Sequence, residues 1–300
     1  MKRVLSVSLG SSKRNKSEEV EILGETFSIG RVGVDGDLKT FSKLFRDLDG
    51  KVDALGVGGA DLYLWIRDRR YTFRQIRDLV SGAKSTPVVD GSGLKNTLES
   101  KLIHTLQDSG EVDFSNLSCL LMSAVDRFGM ALALSEVARN VVYGDLMFGI
   151  GLPIPLKSYR AVERLGRIAL PVITQLPFKW FYPTGEKQEQ RTPKYESAFV
   201  EADVVCGDWH FIRRYAPERL DGKIVITNTL RKADIEMLRD SGVSRAYTST
   251  PNIGGESFGT NVMEGVLVAM LGRRPEELTP SDYEDALSRL GWKPNAIALR

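Results

Sequence analysis

Three hundred residues, 42% hydrophobic and 27% charged, describe a soluble globular protein long enough for two domains or one large one. With 41 basic residues against 39 acidic ones the formal net charge is +2, so no global field recruits nucleic acid or an anionic membrane. The longest apolar stretches, such as 262–271, are far short of a membrane span, and the N-terminus lacks the apolar core of a signal peptide, so the expected compartment is the cytoplasm. The two cysteines, Cys119 and Cys206, lie in apolar runs as buried free thiols would, and two histidines without an HExxH exclude a histidine-rich metal site.

Residues 3–9 (RVLSVSL) read as a first strand delivering Gly10, Ser11, Ser12, Lys13, Arg14, Asn15 and Lys16. Glycine and serine expose backbone N–H groups and the cations supply charge, so the turn suits an oxyanion as well as it suits a plain solvated turn. Segments 19–24 and 26–33 alternate around Gly24 as an edge hairpin. From Asp37 the period is helical, with Leu38, Phe41, Leu44, Phe45 and Leu48 on one face and Gly50 at the end. Strand 53–57 opens into Gly58, Gly59, Ala60 and Asp61. Helix 73–83 then leads to strand 86–89, which opens into Asp90, Gly91, Ser92, Gly93, Leu94 and Lys95. That loop has small residues before a helix and a lysine in its first turn, without the spacing of a nucleoside-triphosphate cradle. Lys95 reads as an anion ligand, as a base if desolvated, or as a surface lysine. His104, midway along helix 94–107, reads as a packing or surface residue.

A polar, acidic link at 108–116 marks a soft domain boundary. Beyond it, 117–145 is strand, loop, helix, strand, the βαβ unit of a parallel sheet. In a dinucleotide-binding version a glycine turn brings backbone against a pyrophosphate, and an acidic residue about 20 positions on takes a ribose hydroxyl. With Gly129 as the third glycine, Ala124 and Asp126 occupy the first two positions and Asp145 follows at ribose spacing. Ser123, Asp126, Arg127, Gly129 and Asp145 are therefore the cofactor-binding candidates, Arg127 offsetting the Asp126 carboxylate. A βαβ unit with a solvated Asp-Arg turn and no ligand fits the same residues. Helix 156–169 follows a Gly- and Pro-rich crossover, and 179–194, aromatic at its root and charged at its tip, suits a lid or a surface excursion. The last third alternates again. Strand 202–206 opens into Gly207, Asp208, Trp209 and His210; strand 223–227 opens into Asn228; strand 245–248 precedes a glycine-rich loop at 252–259 and helix 260–271; helix 281–290 closes the chain.

Each apolar strand ends in small or polar residues where the next helix begins, and in open parallel sheets ligands bind beyond those carboxyl ends. The expected fold is α/β, with two parallel-sheet, Rossmann-like lobes, a cleft between them and a C-terminal helical tail, divided as 1–115 and 116–300. The rim gathers the catalytic candidates Lys95, Asp90, His210 and Asp208, with His210–Asp208 and Lys95–Asp90 or Asp61 as rival acid–base pairs. Ser11, Ser12, Lys13, Asp61, Arg213 and Asn228 are the substrate-binding candidates for a small anionic metabolite. A His210 that only caps the following helix fits as well.

On the segments SVSLGSSKRN, GGADLYLW, PVVDGSGLKNTLE, MSAVDRFGMA with YGDLMF, FYPTGEKQ, GDWHFIRRYAPERLDGK and SFGTNVMEG, the sequence resembles a bacterial family labelled quinate 5-dehydrogenase over nearly its whole length. The resemblance implies a nicotinamide-dependent dehydrogenase, using NAD or NADP, for a polyhydroxy cyclic acid such as quinate or shikimate. It would set Arg127 against the cofactor phosphates and Asp145 against the adenosine ribose, with Lys95, Asp90 or His210 handling the proton. SAVDRFG stands where shikimate and quinate dehydrogenases carry GAGGA, and their NVTxPxK segment has no counterpart here. The residues by themselves equally support a non-redox α/β enzyme or binding protein for a small carboxylate or phosphate, or a silent sensor on the same rim.

Overall fold

The computed structural model of the chain describes residues 1–180, 191–250, 252–253 and 256–299. Strand β1 (Lys2–Ser8) is the middle of a five-stranded sheet in the order β2-β3-β1-β4-β7, where β2 is Lys16–Ile22, β3 Glu25–Gly33, β4 Ala54–Gly58 and β7 Val88–Val89. All but β2 are parallel; β2 pairs antiparallel with β3 at the edge, the hairpin that its polar alternation predicts. A second hairpin, β5 (Tyr63–Ile66) and β6 (Arg69–Thr72), joins β4 to the rest of the lobe. It is not among the expected elements, although YLWIRDRRYT alternates around the polar tip Arg67-Asp68. Helices α1 (Leu38–Leu48) and α2 (Arg74–Val80) cover one face of the sheet, where Phe41, Phe45 and Ile76 pack with Val7, Leu9 and Leu55.

Helix α3 (Ser92–Asp108) has no single apolar face, because it is buried in both lobes. Leu94 and Leu98 pack with Val4, Phe27 and Ala54 of the first sheet, while Leu102, Ile103 and Leu106 enter a second core with Leu121, Met130 and Cys206. The second sheet runs β9-β8-β10-β11-β12-β15, and its chain order is β8 (Ser118–Leu121), α4 (Phe128–Val137), β9 (Asn140–Tyr143), α5 (Tyr159–Ile173), α6 (Glu196–Glu201), β10 (Val204–Cys206), α7 (Trp209–Tyr215), β11 (Ile224–Thr227), α8 (Lys232–Asp240) and β12 (Arg245–Thr248). These strands are parallel, and an unforeseen final strand, β15 (Asn295–Ala298), closes the edge antiparallel to β12. The fold is thus α/β with two parallel-sheet lobes. Cys119 and Cys206 are free and buried.

A short ribbon, β13 (Asn252–Ile253) and β14 (Glu256–Ser257), precedes α9 (Thr260–Leu271), which is followed by α10 (Pro280–Arg289). Val262, Met263, Val266 and Leu267 of α9 and Tyr283 and Leu287 of α10 pack into the core of the first lobe, over the face opposite α1 and α2. The division expected from the sequence sets these helices with the second lobe and as a tail. They instead supply a helical layer of the first, because α9 is apolar on every side and both its sheet and its helix neighbours bury it. Most of the expected lid at 179–194, and part of the glycine-rich loop at 252–259, lie outside the described residues. Among those described, no helix is long and apolar enough to cross a membrane.

Candidate active site at the junction of the two sheets

In each sheet the chain leaves a central strand to opposite sides: from β1 to β3 and β4, and from β8 to β9 and β10. Such switch points are where open α/β sheets hold ligands, beyond the carboxyl ends of the strands. Here the segments following β1, β4, β8 and β10 meet around the N-terminal half of α3.

One chain of charges links them. Lys95 Nζ donates to Asp61 Oδ1 at 2.9 Å and to Asp126 Oδ1 at 2.7 Å. Arg127, at the start of α4, is 1% exposed. Its guanidinium donates to Glu99 and, at 2.8 Å, to Asp208 Oδ2, and its Nε is 3.4 Å from Asp126 Oδ2. Asp208 Oδ2 also accepts from Asn228 Nδ2 at 3.0 Å, and its Oδ1 accepts from the backbone N–H of His210 at 2.8 Å, capping α7. Lys95 and Glu99 are one turn apart on α3, so a single buried helix face supplies both.

Burial opposes the charge on Lys95 and on Arg127, but Asp126 and Asp61 for the former and Glu99, Asp126 and Asp208 for the latter outweigh it and hold both cations above their ordinary ranges. Burial pushes Glu99 up to about 7 against the pull of Arg127 and Lys95, whereas Asp208, for all its burial, is drawn down to about 2 by Arg127 and His210. Lys95 is therefore a fixed cation at neutral pH, not the base a desolvated lysine would be.

The rival pairs are joined through Asp126 and Arg127, and of the two expected partners of Lys95 it is Asp61 that meets it. Lys95 pairs with Asp61 and not with Asp90, whose Oδ2 accepts from the N–H groups of Leu62 and Tyr63, both at 2.8 Å, and whose Oδ1 accepts from that of Ser92 at 3.0 Å. Asp208 bonds the backbone of His210 and not its ring. The His210 Nδ1 is buried with no hydrogen-bond partner among the described residues. Burial, reinforced by Arg14 and Arg231, holds its imidazole below the usual histidine range against Asp208 and Asp234, which makes it neutral at pH 7.

The cofactor frame folds as β8–α4–β9, with its phosphate donors already engaged. Asp145 Oδ1 accepts from the N–H groups of Ala124 and Val125, both at 2.9 Å, and from Ser123 Oγ at 3.4 Å; Asp145 is raised by burial against those bonds. Gly129 serves the crossing of α3 and α4: its N–H donates to Asn96 Oδ1 at 3.2 Å, and a methyl there would overlap the Asn96 carbonyl. Arg127, expected to face phosphate, is committed inside the ion-pair chain.

On the substrate side, Ser11 Oγ caps the 3-10 turn Ser12–Arg14 by accepting from Lys13 N at 3.2 Å, and Ser12 N donates to Asp35 Oδ1 at 2.8 Å. Lys13 is exposed on this turn, Asn228 joins the ion-pair chain, and Arg213 lies in the last turn of α7. Arg31 Nη1 donates to the Ser11 carbonyl at 3.0 Å and Nη2 to Ser8 Oγ at 2.9 Å. Burial, then Arg14 and Arg231, depress Arg31 to about 10 against Asp35. Arg14 and Arg231, from two separate segments, thus act on Arg31, and the same two act on His210; Arg231 is also paired with Asp234 at 3.0 Å. Arg14 is expected only as part of a cationic turn, and Arg31, Arg231 and Glu99 are not among the expected site residues. An arginine on an inner strand and the Lys95–Glu99 spacing were available signals; nothing marked Arg231. Among the described residues no group of three or more His, Cys, Asp or Glu is gathered to hold a metal.

A family model described as Domain of unknown function (DUF8754) matches residues 93–299, and one described as Domain of unknown function (DUF8753) matches residues 3–90. No curated protein matches the chain. Solved structures with distant similarity include an NAD-dependent malic enzyme from Thermotoga maritima, with 11% identity over 96% of this chain and 84% of that one and a TM-score of 0.36. A periplasmic sugar-binding protein from Pseudomonas fluorescens has 14% identity over 97% and 90%, with a TM-score of 0.38. A sugar transport substrate-binding protein from Bordetella parapertussis has 11% identity over 93% and 82%, with a TM-score of 0.34. Scores this low bear on neither ligand nor activity.

Proposed function

The chain belongs to the family described as Domain of unknown function (DUF8754), a description that carries no activity, and from the site itself we propose a non-redox α/β enzyme or binding protein for a small anionic metabolite. The observation that carries this is the half-buried Arg31, bonded to the Ser11 carbonyl and Ser8 Oγ and facing the charges of Arg14 and of Arg231, itself paired with Asp234; the same two arginines act on a neutral His210. The crowding that depresses the Arg31 guanidinium is relieved when an anion enters, and a carboxylate or phosphate oxygen matches the arginine fork. The Asp61–Lys95–Asp126–Arg127–Asp208 chain behind them is a rigid support that fixes Asn228 and the first turn of α7. His210, uncharged, is the group that would take a proton from a bound hydroxyl.

A nicotinamide-dependent dehydrogenase for a polyhydroxy cyclic acid is the second reading, favoured by the β8–α4–β9 unit at a switch point. It requires Asp145 to release the Ala124 and Val125 N–H groups to a pyrophosphate. Calorimetric titration with inorganic phosphate, quinate, shikimate, NAD and NADP separates the two. Binding of one of the first three, weakened about tenfold or more by Arg31→Ala as loss of a charged hydrogen bond implies, is the expected result. Binding of NAD or NADP without response to Arg31→Ala would replace the first reading by the second.

A further inference from the structure

A cavity of about 670 Å³ lies on another side of α3, between the β5–β6 hairpin, the first turns of α3 and α4, and the segment leading into α10. Its volume falls in the range of small-molecule sites. It draws on none of the arginine cluster.

Its walls are aromatic. Tyr63 and Trp65 project from one face of β5, Phe128 and Tyr159 stand as a tilted pair with centroids 5.1 Å apart, and Tyr283 comes from α10. Its floor is acidic, with Asp90 and Glu264 buried there and Glu276 exposed at the lip; the three act together on both Tyr63 and Tyr283, raising their hydroxyls after burial has done so. Glu264 is 3% exposed and is held at both oxygens, Oε2 accepting from Gly91 N at 2.6 Å and Oε1 lying 2.9 Å from the Tyr283 hydroxyl. Gly93 leaves the space for that arrangement, since a methyl there would overlap the Glu264 carboxyl and the Tyr283 hydroxyl.

The cations at the rim are committed. Arg67 Nε is 3.0 Å from Glu163 Oε1, and Arg70 stacks on Tyr63 with its Cζ 4.2 Å from the ring centre. Two of the donors at the start of α3, the N–H groups of Ser92 and Gly91, are committed as well, to Asp90 and Glu264. An entering anion would meet carboxylates on the floor, whereas an entering cation would meet ring faces and carboxylates.

We propose that this cavity is a second ligand site, for a small organic cation: a protonated amine carried on an aromatic or aliphatic body, its ammonium at Glu264 and its body against Trp65 and Phe128. Without a ligand, burial and Asp90 push Glu264 up to about 8 against the Tyr283 and Gly91 hydrogen bonds and the Lys95 charge, so the carboxyl holds a proton at neutral pH. Docking of the ammonium replaces that positive charge, and the carboxyl proton leaves to solvent.

The test uses the full chain, phenethylammonium chloride as probe and sodium benzoate as the charge-reversed control, followed by calorimetry and tryptophan fluorescence. The expected result is saturable one-site binding at pH 7, unaffected by inorganic phosphate. About one proton is released per amine bound, read from two buffers of different ionisation heat. Glu264→Gln, whose amide matches the protonated acid in shape and so preserves the fold, should weaken the amine about tenfold or more, and Trp65→Phe should abolish the fluorescence change. No saturable amine binding, equal binding to the Glu264→Gln chain, or a Trp65-dependent response to benzoate would each overturn the proposal. None of these outcomes touches the arginine cluster, so failure here is distinct from failure of the anion site.

Discussion

Lys95 illustrates how one residue type in one turn can carry opposite chemistry according to its surroundings. Desolvated alone, its ammonium would give up a proton near neutrality; between Asp61 and Asp126 it stays charged and organises two lobes. Lys95→Ala should therefore behave as a structural lesion, taking from the buried Asp61 and Asp126 the cation they share at a cost of about 3–5 kcal/mol in urea unfolding. His210 gives a binding signature of opposite sense. As the pH falls through its depressed titration the imidazole gains charge beside Arg14 and Arg231, so anion affinity should rise, and His210→Asn should remove that rise. Glu99 and Glu264 link protonation to stability. In the folded chain they keep protons up to about 7 and about 8, while the unfolded chain releases them near 4.5. The folded state binds more protons between those limits, so stability falls as pH rises from 4.5 to 8. Urea midpoints at about pH 5.5 and about pH 8 should differ in that sense, and less so in Glu264→Gln. Asp208 contributes in the other direction at lower pH, its share being lost as pH falls towards about 2.

At the scale of elements, α3 is the pivot. Its four sides face the first core, the second core, the ion-pair chain and the amine cavity, which is why its sequence shows no clean amphipathic stripe. Its start is set by Gly91, whose φ of +93° suits glycine and whose position leaves no room for a side chain against Asn261. The crossing with α4 depends on Gly129, and Gly129→Ala should cost about 1–3 kcal/mol in unfolding free energy by forcing α4 away from Asn96. Most of the helices and parallel strands and the edge hairpin were legible because period, turn residues and caps are local properties, whereas the six-residue α6 is too short to show a period. The β5–β6 hairpin and β15 escaped because each is short and is stabilised by its neighbours more than by its own pattern.

At the scale of the whole molecule, the chain crosses between lobes and returns. The first sheet is complete only when α3, α9 and α10 cover the face formed by Val4, Phe27, Ile29 and Ala54. Residues 1–90 alone should therefore expose that face and show no cooperative thermal unfolding, and should recover it when mixed with a separate chain of residues 91–300; circular dichroism and tryptophan fluorescence would follow both. By itself the sequence determined what depends on near neighbours: the α/β class, the strand-end rim, the buried thiols, and the candidacy of Lys95, Asp208 and His210. Only the tertiary structure decided which charges meet. The Lys95–Asp126 and Arg127–Asp208 pairs, the occupation of the Asp145 carboxylate by its own turn, and the pairing of Glu264 with Tyr283 and Gly91 all join residues far apart in the chain. Long-range electrostatic partners are chosen by packing, and no local pattern of residues encodes that choice.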